Sequence, residues 1–107
     1  MSTAQVIANY EALLTLTGKM RDAAIRGEWD ELIAIERQRG KVVAAMKPLD
    51  SQARLDEATR QRKNALITEI LAADAEIRNL TQAWMDQFRL TMQSSVQELR
   101  LLKEYRA

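Results

Sequence analysis

From Gln52 to Gln93 the chain carries neither glycine nor proline, and its apolar residues keep a helical spacing throughout. Leu66, Ile70, Ala73, Ile77, Leu80 and Trp84 follow one another at steps of four, three, four, three and four, and Phe88 and Met92 prolong the series. Side chains spaced this way fall on one stripe of an α-helix. A heptad-like stripe packs against other helices rather than against a sheet. At 1.5 Å per residue, a helix over 52–93 reaches about 60 Å. The rest of the fold has to accommodate a rod of that length.

The remaining segments also read as helices. Over 3–26, Val6, Tyr10, Leu13, Thr17, Met20 and Ala24 mark one face, widened by Ile7, Leu14 and Ile25. Gly18 lies inside this helix, where close packing against a neighbour is the expected reason for it. Gly27 suits the residue after a helix C-terminus, where φ is positive, and Arg26 suits the negative end of the helix dipole. A second helix over 28–46 follows at once. Glu28, Asp30 and Glu31 stand in its first turn, and Trp29, Leu32, Ile35, Arg39, Val42 and Met46 form its seam. So short a connection implies an antiparallel pair. Pro48 is expected to end this helix, because proline disfavours helical dihedrals at the residue before it. Asp50 or Ser51 is then placed to cap the third. Ser95 and Glu98 form a capping-box pattern, so a short fourth helix is expected over 96–105, with Val96, Leu99, Leu102 and Tyr105 on one face. The chain over 1–107 therefore reads as one all-α domain, an antiparallel bundle of three long helices plus a short C-terminal one.

Composition closes off many functions. The chain lacks both Cys and His, which removes thiolate chemistry, the commonest general base and the commonest metal ligand. Gly18, Gly27 and Gly40 are too dispersed for a phosphate-cradling loop. No enzyme and no cofactor is expected. Small helical chorismate mutases do work without His or Cys, but they carry an inward Arg on a long first helix, and here no basic residue precedes Lys19. A net charge of +1 gives no global field toward nucleic acid or an anionic membrane. No apolar run is long enough to span a bilayer. The N-terminal stretch Met1-Ser2-Thr3-Ala4-Gln5 lacks a signal-peptide layout, so the expected compartment is the cytoplasm.

The charges are unevenly distributed. Residues 36–63 hold eight basic and four acidic groups. This segment suits an acidic partner or a phosphate backbone, or simply a solvated bundle end. Arg39, on an otherwise apolar seam with Glu36 one turn before it, is expected in an interhelical ion pair, with Arg62 on the matching inward face of the third helix.

Helix lengths point to function more directly. A first helix of about 35 Å and a second of about 30 Å cannot cover a third of about 60 Å. The distal seam, with Ile77, Leu80, Trp84, Phe88 and Met92, is the candidate binding groove. Such contiguous apolar surface marks an interaction site. A second copy of the chain, the C-terminal helix folding back, or a partner helix would each cover it.

The stretch Tyr10-Glu11-Ala12-Leu13-Leu14-Thr15-Leu16-Thr17-Gly18-Lys19-Met20, with Ala23-Ala24 and Gly27-Glu28-Trp29-Asp30-Glu31-Leu32, resembles the bacterial flagellar export chaperones of the FliT type. The resemblance implies a helical bundle that binds the filament-cap protein FliD before secretion and helps deliver it to the flagellar type III export apparatus. It also implies a mobile C-terminal helix able to occlude the client surface, here carrying Val96, Leu99, Leu102 and Tyr105. Dimerisation, contact with the export ATPase complex and contact with the flagellar transcription regulator belong to the same expectation. A structural coiled-coil adaptor or homodimer without a client is the alternative.

Overall fold

The computed structural model describes the backbone of residues 3–106 and the side chains of residues 3–50 and 53–93. The chain forms three helices, α1 (Thr3–Arg26), α2 (Trp29–Gln52) and α3 (Glu57–Arg106). They run up, down and up, so that α1 and α3 are parallel and α2 is antiparallel to both. α1 packs its backbone closely against each of the others. α2 and α3 meet through side chains.

Burial follows from this central position. Val6, Leu13, Leu16, Thr17, Met20, Ala23 and Ala24 of α1 are buried. They meet Leu66, Ile70, Ala73 and Ile77 of α3, and Met46 of α2. Leu13, Met46 and Ile70 form a cluster joining all three helices, with Tyr10, Leu14, Val42 and Val43 packed around it. The α3 stripe anticipated from sequence thus supplies its inner wall. Ala23 and Ala24 are fully buried, and their small side chains let the helices approach.

Glycine ends α1 as expected. Gly27 has φ 70°. Its N–H donates to the Ala24 carbonyl at 3.2 Å, and the Glu28 N–H donates to the Ala23 carbonyl at 2.9 Å. This paired closure satisfies carbonyls left over at the helix end. Gly18 departs from expectation, because a Cβ built there meets nothing within 4 Å. No neighbouring helix needs the gap.

The second helix corrects the sequence reading. It does not stop near Met46 but continues through Pro48 to Gln52. The proline removes one backbone hydrogen bond. Asp50 offsets that loss in the following turn, its Oδ2 accepting from Tyr10 Oη and from Lys63 Nζ, each at 3.0 Å. Asp50 is therefore a tie between helices rather than a cap. The cap of α3 is Asp56, whose Oδ1 accepts from the Thr59 N–H at 2.7 Å. That bond and the Thr59 hydroxyl hold the Asp56 carboxyl below its ordinary pKa.

The third helix is longer than expected and starts later. It runs unbroken through Ser94 and Ser95, so the separate helix expected over 96–105 is not formed. The side chains of Val96, Leu99, Leu102 and Tyr105 lie outside the described residues. Fifty helical residues span about 75 Å, which sets the longest dimension of a molecule measuring 75 × 21 × 20 Å. With 24 residues each, α1 and α2 reach about 36 Å, half that length.

Candidate functional site

The turn between α1 and α2 brings the chain's two tryptophans together. Trp84 of α3 lies over Gly27, and a Cβ on that glycine would stand 3.0 Å from Trp84 Cζ2. Trp29, opening α2, meets Trp84 edge to face, with ring centroids 5.8 Å apart and planes at 86°. Past these rings α3 continues without the hairpin beside it.

An apolar cleft opens at this boundary. Trp29, Thr81, Trp84, Met85 and Phe88 line a volume of about 340 Å³. The one hydroxyl among them, on Thr81, donates to the Ile77 carbonyl at 2.7 Å, so the polar groups left to the wall are the indole N–H groups of Trp29 and Trp84. Phe88 is 61% exposed, Met85 47% and Trp84 43%. Leu90 and Met92 continue the exposed apolar surface along α3.

The five groove residues expected from sequence are placed differently from one another. Ile77 is 8% exposed and belongs to the core. Leu80 is half-buried at the edge, while Phe88 and Met92 are open. Trp84 does not lack an intrachain neighbour, since the α1–α2 turn covers one side of it. Sequence reasoning missed Trp29 as a wall of the cleft. Reading Gly27 and Trp29 as the level at which the hairpin ends would have paired them with Trp84.

Two polar clusters tie the helices together above the cleft. Arg39 Nη1 donates to Asp74 Oδ1 at 2.6 Å and to the buried Thr17 Oγ1 at 3.4 Å, and its Nη2 donates to Glu36 Oε2 at 2.9 Å. The interhelical ion pair expected of Arg39 is present, with Asp74 as its partner on α3. Arg62 does not share it. That side chain is exposed and reaches Glu11 at 3.7 Å.

The second cluster is Tyr10, Asp50 and Lys63, with Nζ of Lys63 5.4 Å from the Tyr10 ring centre. Burial raises the tyrosine pKa, and the hydrogen bond to Asp50 raises it further. Burial opposes the Lys63 charge, but Asp50 and Tyr10 outweigh it and raise that pKa as well. Asp50 is held by a cation and a hydroxyl, and Asp74 and Glu36 by Arg39, an arrangement suited to joining helices. Among the described residues no group of three acidic or other ligating side chains is placed to hold a metal. Nor is any helix among them long and apolar enough to cross a membrane.

The flagellar protein FliT family model matches residues 7–107. The chain belongs to the FliT flagellar protein family. This is a family of non-enzymatic flagellar chaperones. The chain is 27% identical to the flagellar protein FliT of Cronobacter sakazakii over 99 residues, covering 91% of this chain and 80% of that one. It is 24% identical to the flagellar protein FliT of Pectobacterium atrosepticum, covering 92% and 78%. Against the flagellar protein FliT of Pectobacterium carotovorum the identity is 23%, covering 88% and 75%. No solved structure matches the chain. The FliT match takes in all of α2 and α3, and with them the whole tryptophan cleft.

Proposed function

We propose that this chain is a cytoplasmic export chaperone that binds the filament-cap protein FliD before secretion, holding an amphipathic FliD segment in the tryptophan cleft. The observation that carries the reading is the position of this apolar cleft, at the level where α3 outruns the hairpin, in a chain of the FliT family. A groove of this kind takes a helix through anchors at i, i+3, i+4 and i+7. Trp84, Phe88 and Met92 supply the contact stripe, Leu80 its border and Ile77 the support beneath.

The tail, with Val96, Leu99, Leu102 and Tyr105, competes for the same surface after the helix opens near Ser95. Apparent affinity then falls with the closed fraction. A homodimer through distal α3 would mask the cleft in the same way. The export ATPase complex and the flagellar transcription regulator are the further partners on this reading.

Calorimetry with the C-terminal segment of FliD tests it. Phe88→Ala, at an exposed position that holds nothing else together, is expected to weaken binding about tenfold, about 1.4 kcal/mol, with helicity unchanged. Unchanged affinity would remove the cleft from the binding site. Absence of binding by the parent chain would remove FliD as the client.

A further inference from the structure

The outer face of α2 carries cations with no ion-pair partner among the described residues. From Arg37 to Leu49 the chain contains no acidic residue. Arg37, Lys41, Ala44 and Pro48 fall at i, i+4, i+7 and i+11, on one exposed face turned away from Met46 and the core. Lys47 flanks this face, and Arg54 follows in the connection to α3. Several basic groups elsewhere are paired within the molecule. Arg21 meets Glu76 at 3.7 Å, Arg26 meets Glu31 at 3.1 Å, and Arg39 meets Asp74 at 2.6 Å. Among the described residues, Arg37, Lys41, Lys47 and Arg54 make no ion pair.

Such an arrangement works against the helix itself. Arg37 and Lys41 are like charges one turn apart and repel. Local rules are broken in this way at functional positions. The face is also remote from the cleft, since Lys41 lies about 18 Å along α2 from Trp29 by helical rise.

We propose that the outer face of α2, centred on Arg37, Lys41 and Lys47, docks an acidic protein segment while the cleft holds its client. Charge complementarity selects this occupant. Nucleic acid fits less well, because a sequence pI of about 8.1 and a net charge of +1 fall short of the basic footprint of a nucleic-acid binder. A short acidic helix, with carboxylates on one face, matches Arg37 and Lys41 one turn apart with Lys47 beside them, and needs no apolar pocket.

Fluorescence anisotropy tests this with a labelled synthetic helical peptide bearing glutamates at i, i+4, i+7 and i+11. A duplex oligonucleotide of equal charge serves as competitor. The full chain is expected to bind the peptide, more tightly at about 50 mM than at about 200 mM salt. Arg37→Gln with Lys41→Gln is expected to weaken binding about tenfold, and the two charge reversals to abolish it. Arg78→Glu, at a cation on α3 with no ion pair among the described residues, is the control and is expected to change affinity less than about twofold. Circular dichroism establishes that each variant keeps its helices, and the Gln pair serves if the reversals unfold. No peptide binding, equal loss in the Arg78 control, indifference to the Gln pair, or stronger binding of the oligonucleotide would each overturn the proposal. A FliD segment bound to the cleft is expected to leave peptide affinity unchanged. Displacement would place both ligands on one surface and overturn it too.

Discussion

Three glycines divide into two kinds. Gly18 and Gly40 sit within helices with open space where a Cβ would lie. Replacing either with alanine restricts the unfolded chain and removes nothing from the folded one. Gly18→Ala and Gly40→Ala are each expected to stabilise the fold by about 0.5–1 kcal/mol in urea denaturation. Gly27 behaves oppositely. Its φ of 70° and the Trp84 ring 3.0 Å from a built Cβ make Gly27→Ala destabilising by about 1–2 kcal/mol. It should also shift the environment of Trp84, visible as a change in near-ultraviolet dichroism. The chain's pattern showed which glycine ends a helix, because the stop after Arg26 and the restart at Trp29 bracket it. It did not show that Gly18 was free of neighbours, since that depends on which side of α1 each partner takes.

At the scale of elements, the last turn of α2 shows where pattern reading fell short. Pro48 is a local signal to stop, and the reason the helix continues is tertiary. Asp50 reaches Tyr10, 40 residues earlier, and Lys63, 13 residues later. A pH dependence follows from the directions of their shifts. The Tyr10 pKa is raised above 10.0 by burial and by Asp50, so the neutral phenol is favoured in the fold. The Lys63 pKa is raised above 10.5 because Asp50 and Tyr10 outweigh burial, so the ammonium is favoured. Both contributions are complete below the ordinary values and are lost as pH rises through the raised ones. Thermal unfolding is expected to show Tm falling above about pH 10. Tyr10→Phe is expected to cost about 1 kcal/mol at neutral pH and to flatten that alkaline decline. Helix type and the inner stripe of α3 were legible because they rest on periodicity. Asp56 as cap and Asp74 as partner of Arg39 were not, because each depended on where α3 began.

For the whole molecule, the mismatch in helix length is the governing fact, and it was legible from breakers and spacing alone. Its extent was understated, since α3 starts at Glu57 and passes Ser95 without a break. The distal seam was correctly separated from the core only beyond Leu80, because the exact level of the hairpin end needs Gly27 and Trp84 in contact. Removing residues 95–107 is expected to tighten FliD binding in calorimetry if the tail competes for the cleft. Unchanged or weaker binding would discard that competition while leaving the cleft reading in place.

The edge-to-face tryptophan pair has a practical consequence. Trp29 and Trp84 are the chain's only two tryptophans, and both stand in the wall of the cleft. Their emission is therefore an optical gauge native to the molecule. A ligand that displaces water from these rings will shift the emission to the blue, whereas one that settles on the far side of α2 will leave it dark to the event. Unlabelled protein can thus report which of its two surfaces a newcomer has occupied.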